Sequence, residues 1–169
     1  YNVDIIRRQD PGALDRMPSE EEYLVAKPDI TFTDKLTFRL GDHTFRCVHT
    51  PGHSPEQTSV YVPEERCVFV GDNIFNDCQI WLHSVDFDDL FHSLDWLQGL
   101  DVDYIVPGHG PVRGKECIVE NKQFLHAWLD AVGEGIVKGW SKEECVERIS
   151  FADRCPVDIG QSECMEYVQ

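Results

Sequence analysis

The chain has 169 residues, 41% of them hydrophobic, which suits one ordinary domain and not comfortably two. With 31 acidic against 15 basic side chains its formal net charge is -16, which argues against nucleic acid as a partner because a phosphate backbone needs a basic patch. No apolar run is long enough to span a membrane, and Tyr1 to Arg8 has neither the basic nor the apolar region of a signal peptide. Tyr1 reads as a processed end or a cut in a longer sequence. The acidity serves solubility first. Carboxylates lining a cation-binding cleft are the alternative, and charge alone does not separate the two.

Residues 1–29 are polar, broken by Pro11-Gly12 and Pro18, and read as a loop with one short helix near 19–26. Leu36–Leu40 alternates apolar and polar residues, Gly41-Asp42 turns the chain, and His43–His49 alternates again, so 36–49 reads as a hairpin. Thr50 to Pro55 breaks the alternation and is a loop. Thr58–Val62 is a strand and Pro63 to Arg66 a turn. Cys67–Val70, nearly all apolar, reads as a strand buried on both faces and ended by Gly71-Asp72-Asn73.

Residues 86–99 carry Phe87, Leu90, Phe91, Leu94 and Leu97 at helical spacing, with Gly99 as the stop. Tyr104–Val106 is a short buried strand before Pro107-Gly108-His109-Gly110. Glu116 to about Gly133 is an amphipathic helix, apolar at Val119, Phe124, Leu125, Trp128, Leu129 and Val132. A further helix opens at Ser141, with Glu144 completing a capping box. The tail from Phe151 has no clear period.

The seven cysteines form no C-x-x-C pair, so a zinc ribbon or thioredoxin motif is not expected. Cys47 and Cys67 read as small buried hydrophobes. A reducing cytoplasm fits this usage best, with a disulfide among the C-terminal cysteines as the exception to test.

Three polar residues share one placement. His53, Asp72 and His109 each stand just past a strand end, each beside a glycine that lets the backbone turn. Such ends converge in space, and two imidazoles with a carboxylate suit zinc, iron or manganese. Taken singly, each has a plainer reading: a surface histidine in a Gly/Pro loop, or an aspartate capping a turn. Together they are a specific pattern. His49 reads as a support for the ligand loop, while His83, His92 and His126 read as surface or structural. Trp81 and Phe75 are either core or the lining of a substrate pocket.

His49-Thr50-Pro51-Gly52-His53-Ser54-Pro55, Phe69-Val70-Gly71-Asp72 and Ile105-Val106-Pro107-Gly108-His109-Gly110 resemble, in order, the third, fourth and fifth motifs of the metallo-β-lactamase superfamily. The resemblance covers about residues 30–135. It implies that His53 belongs to one metal site, His109 to a second, and that Asp72 bridges them. It implies water activated by zinc, iron or manganese attacking an ester, thioester, lactone, amide or phosphoester, with no nucleophilic Ser or Cys. The family's His-x-His-x-Asp-His motif, which supplies the other ligands, does not occur in this sequence.

The implied fold is therefore α/β: half of an αββα sandwich, a mixed sheet with helices on one face, over residues 1–135, with a helical C-terminal extension over 136–169. Two functional expectations follow. One is a metal-dependent hydrolase acting on a small-molecule substrate, present here as a fragment inactive alone. The other is a non-catalytic half-fold that self-associates as a homodimer or binds a partner chain. Neither involves nucleic acid or a membrane.

Overall fold

Between residues 35 and 49 the alternating side chains fold into the expected hairpin. β1 (Lys35–Leu40) and β2 (His43–His49) pair antiparallel, with Leu36 opposite Cys47 and Phe38 opposite Phe45. β3 (Thr58–Val62) pairs antiparallel with β2 on one side and with β4 (Cys67–Phe75) on the other. β4 then pairs parallel with β5 (Tyr104–His109), closing a mixed sheet in the order β1-β2-β3-β4-β5. This computed structural model describes residues 29–78, 80, 82 and 84–150. The expected helix at 19–26, Trp81, His83 and the tail with its cysteines lie outside the described residues. The chain divides into two compact units, Tyr1–Thr31 and Phe32–Gln169, and every element named belongs to the second.

Parallel neighbours need a crossover, and α1 (Phe87–Gly99) supplies it. Asp86 caps that helix by accepting from the Asp89 N–H at 3.0 Å. α2 (Glu116–Val137) and α3 (Lys142–Arg148) follow, the latter opened by the predicted capping box of Ser141 and Glu144. Leu90, Leu94 and Leu97 of α1 and Ile118 and Leu125 of α2 join Val68, Val70 and Ile105 of the sheet in one core, each at most 1% exposed. Each such side chain contributes roughly 1.5–3 kcal/mol by leaving water. Both helices therefore lie on the same face.

The structure corrects the sequence reading at several points. β4 is not buried on both faces: Val68 and Val70 are fully covered, while Phe69 between them is 45% exposed. Nor does β4 stop at Gly71. It bends there, with register shifts against β5 between Phe69 and Gly71 and between Gly71 and Phe75, and continues to Phe75. β5 likewise runs on to His109, and its first residue, Tyr104, is exposed rather than buried. Val119 faces solvent, and the buried stripe of α2 is instead Cys117, Ile118, Asn121, Phe124 and Leu125. α2 also passes through Gly133, because one glycine costs a helix only about 1 kcal/mol. Cys47 and Cys67 are half-buried.

Side chains alternate across a strand, so the residues between the core positions point away from the helices. Leu36, Cys47, Val60 and Phe69 are register partners in one row across that second face. Phe38 and Leu40 extend it along β1. Leu40, Tyr104, Phe38 and Phe69 are all exposed large hydrophobics, Leu40 at 69%.

The hairpin is clipped to the 3-10 turn Pro63–Glu65 between β3 and β4 by His43 Nε2 with Glu65 and by the Thr44 N–H donating to Glu64 at 3.0 Å. The bond from Thr44 is the main cause that holds the Glu64 carboxyl at about 2, down from 4.5. A depressed folded-state pKa gives stability that is present above the unfolded value and lost as pH falls through the folded one. Glu64→Gln should therefore flatten the acid limb of the stability profile between about pH 4.5 and about pH 2. Urea melts across that range test it, and an unchanged acid limb would refute the clip.

Candidate metal centre

Sheet topology brings the three singled-out residues to one end. β4 and β5 run parallel, so Asp72, late in β4, and His109, the last residue of β5, lie at the same edge. β2 also points that way, being separated from β4 by one antiparallel strand, and the loop that follows it carries His53. The structure thus brings together all three residues predicted from sequence.

The carboxylate of Asp72 faces both imidazoles. His53 Nε2 is 3.8 Å from Asp72 Oδ2, and His109 Nε2 is 3.6 Å from Asp72 Oδ1. Each ring nitrogen therefore addresses a different oxygen. These separations exceed hydrogen-bond distance. They are close to the roughly 3.4 Å expected between two ligands on one tetrahedral zinc ion with bonds of about 2.1 Å. Among the described residues, no three His, Cys, Asp or Glu side chains converge on a single point. The two observations agree, because the cluster is two imidazole–carboxylate pairs sharing one carboxylate. The donor types and spacing fit one ion per pair, each completed by donors from elsewhere.

The surroundings are asymmetric. The side chain of His53 is 11% exposed, whereas that of His109 is 44% exposed. Phe75 is buried and stacks on His109 with ring centroids 4.8 Å apart, and it sits 5.8 Å from the His53 ring. It belongs to the core, as one of its two sequence readings has it, and it packs beneath the cluster. It further lines a cleft with Asn76, Asp77 and Arg113.

The loop of His53 is fixed from several sides. His49 Nε2 donates to the Pro55 carbonyl at 2.7 Å, the supporting role expected of it. Ser93 of α1 donates to the Pro51 carbonyl at 2.6 Å, and the Asp86 N–H donates to the Gly52 carbonyl at 2.9 Å. Gln57 Nε2 reaches the Val70 carbonyl of β4, and Ser84 reaches the His53 carbonyl. Asn73 is buried between Thr50 and His53. Sequence reasoning missed Gln57, Ser84, Ser93 and Asn73. Their only signal was proximity to a ligand motif, which polar loop residues share. His92 is exposed on α1, and His126 stacks on Phe91 away from the cluster.

A mixed sheet with one helical layer and a His–Asp–His cluster beside the ends of its parallel strands is an α/β arrangement that gathers polar side chains at one sheet edge. The chain belongs to the metallo-beta-lactamase superfamily, whose family model matches residues 2–109, more than half of the sequence. That match contains all three cluster residues and begins well before the hairpin, so it takes in nearly all of the polar segment at 1–29.

Among curated relatives, a hydroxyacylglutathione hydrolase of Francisella tularensis subsp. novicida is 35% identical over 79 residues, covering 46% of this chain and 31% of that protein. Metallo-beta-lactamase type 2 of Bacteroides fragilis is 26% identical over 116 residues, covering 63% and 45%. A metallo-beta-lactamase family protein from Thermus thermophilus shares the fold with a TM-score of 0.57 at 18% identity, over 75% of this chain and 50% of that one. An archaeal superfamily protein from Sulfolobus tokodaii gives 0.55 at 23% identity, over 82% and 48%. The chain spans less than half the length of these curated relatives and about half the length of these solved structures.

Two glycines are set by close approach. A Cβ on Gly52, whose φ is +149°, would lie 2.6 Å from the Leu90 Cα of α1. One on Gly108 would lie 2.8 Å from the Gly71 carbonyl carbon and against Asp72 Oδ1. Backbone cannot yield as a flexible side chain can. Gly52→Ala and Gly108→Ala should each lower stability by roughly 2 kcal/mol or more. Gly99→Ala, with open space at its Cβ, is the control and should stay within about 1 kcal/mol. Denaturant melts decide, and parity of the three variants would contradict the packing.

Proposed function

We propose that this chain is part of the catalytic domain of a metal-dependent hydrolase. His53 would hold one ion, His109 a second, and Asp72 would give one oxygen to each. The observation that carries this reading is the split geometry of Asp72, with separate oxygens 3.8 and 3.6 Å from two different imidazole Nε2 atoms. Zinc suits this donor set, with iron and manganese as the alternatives. When bound, such ions polarise a substrate carbonyl or phosphoryl oxygen and lower the pKa of water.

The chain's own residues hold the geometry. Asp72 fixes the two histidines relative to each other, Phe75 excludes water beneath His109, and the Thr50–Gln57 loop keeps His53 from swinging out. The names of the matched relatives support hydrolysis of a small ester, thioester, lactone, amide or phosphoester. No helix among the described residues is long and apolar enough to cross a membrane.

Each imidazole–carboxylate pair supplies two donors where zinc takes four. The isolated chain should therefore bind zinc weakly, and His53→Ala and His109→Ala should each weaken it further, as read by calorimetry. Tight binding of two zinc ions would overturn this. Without a rigid ligand set, preorganised stabilisation of the developing charge is lost. Appreciable hydrolysis of β-lactam, thioester or lactone substrates is not expected from the chain alone. Robust turnover abolished by Asp72→Ala would show that the ligand set is complete after all.

A second reading is favoured by the exposed apolar sheet face at Phe38, Leu40, Phe69 and Tyr104. Exposed large apolar side chains on one sheet face support an interaction-site reading. We propose that a second copy of the chain covers it, since a twofold axis buries the same patch on both copies. Light scattering at micromolar concentration should report a dimer, and Phe69→Lys should shift it toward monomer. A well-behaved monomeric parent chain would sink this reading.

A further inference from the structure

Two buried asparagines follow Asp72 on the same stretch of chain, and they hold the two histidine loops separately. Asn73 is 2% exposed. Its Oδ1 accepts from the His53 N–H at 3.0 Å, and its Nδ2 donates to the Thr50 carbonyl at 2.7 Å. One carboxamide thus spans both ends of the turn that presents His53. Asn76 is 1% exposed. Its Nδ2 donates to the Pro111 carbonyl at 3.0 Å, and its backbone N–H donates to the His109 carbonyl at 3.0 Å. Asn121 of α2 supports this second clamp, accepting from the Phe75 N–H at 3.3 Å and donating to Asn76 Oδ1 at 3.4 Å.

Asparagine suits both places because its carboxamide offers an acceptor and a donor from one short, rigid side chain. A buried backbone N–H and a buried carbonyl facing each other across a turn need one of each. Asp72 lies one residue before Asn73 and four before Asn76. The carboxylate and the two clamps therefore move as one piece of chain.

We infer that Asn73 and Asn76 are positioning residues. Asn73 sets the His53 imidazole and Asn76 the His109 imidazole against opposite oxygens of Asp72. The inference rests on the metal-site reading given above. Outer hydrogen bonds of this kind orient ligands, and their loss typically costs about 10–100-fold in metal affinity.

The test uses the full chain labelled for NMR. Amide exchange is read without metal, and the two histidine side-chain signals are followed as zinc is added to millimolar concentration. Asn73→Ala should speed exchange at the His53 amide at least about tenfold and leave Arg113, beyond His109, unaffected. It should weaken the zinc response of His53 by about tenfold or more while sparing His109. Asn76→Ala should do the reverse, loosening the Arg113 amide, which donates to the Ile105 carbonyl at 3.2 Å. Asn73→Asp keeps the acceptor for the His53 N–H, so it should keep that amide protected even if Asn73→Ala folds poorly.

Selective loss at the matching histidine supports the inference. Equal loosening of both loops, or altered exchange with unchanged zinc responses, overturns it and leaves the asparagines as fold elements only. A parent chain whose histidines do not respond to millimolar zinc overturns the metal-site reading itself and the inference with it.

Discussion

One carboxylate serves two imidazoles, and most of the structure exists to make that sharing possible. Asp72 can face His109 only because β4 and β5 are parallel and stay paired, through two register shifts, as far as Phe75 and His109. That pairing in turn requires the crossover through α1. α1 stays in place because Leu90, Leu94 and Leu97 are buried against Val68, Val70 and Ile105. Hydrophobic burial therefore sets a distance of a few ångströms within the cluster. His53 joins by a different route, on a loop carried by β2 and pinned to α1 by Ser93 and the Asp86 amide. Both supports run through α1 and meet at one side chain.

The irregularity in β4 keeps a carboxylate out of the core. A regular strand would point Val70 and Asp72 to the same buried face and leave a carboxylate in the hydrophobic core, at a cost of several kcal/mol unless paired. The register shifts on both sides of Gly71 turn Asp72 out toward the sheet edge, where its side chain is 40% exposed. Irregularities of this kind are common next to active sites because they re-aim a side chain. The asymmetry of the two histidines follows from the same placement. His53 is enclosed by its loop and α1, His109 stands at the rim on Phe75, and solvent reaches the cluster from the His109 side.

Period-two alternation at 36–40 and 43–49, period 3.6 at 87–97 and the Ser141/Glu144 box were plain in the sequence, and each became the element expected. The His53–Asp72–His109 grouping was also legible, because each motif pairs a polar residue with a glycine at the end of an apolar run. The continuation of β4 was not. Gly71-Asp72-Asn73 carries every mark of a turn, and local propensity cannot reveal that β5 will pair with those residues across more than thirty positions of sequence. Burial on both faces was inferred for Cys67–Val70 from composition alone. Composition cannot distinguish a strand covered twice from one whose second apolar face is left open, as Phe69 is. Asn73 stayed hidden for a related reason: asparagine near glycine normally signals a turn, and only tertiary packing turns it, like Asn76 and the helical Asn121, into a buried clamp.

Two deficits remain in the described unit, and they are physically distinct. Under the proposed reading the cluster would offer each ion two donors where zinc takes four, and among the described residues the sheet has one covered face and one with exposed large apolar side chains. A second copy placed on a twofold axis would remedy the second deficit without touching the first. It brings matching apolar surface, but its own His53, Asp72 and His109 sit at the end of its own sheet. A protein layer carrying additional imidazoles and carboxylates would remedy both. The proposed self-association and the proposed hydrolysis are therefore separable. Burial of Phe38 and Phe69 would say nothing about whether the cluster is complete. Equally, an empty or weak metal site would not by itself argue against a stable dimer.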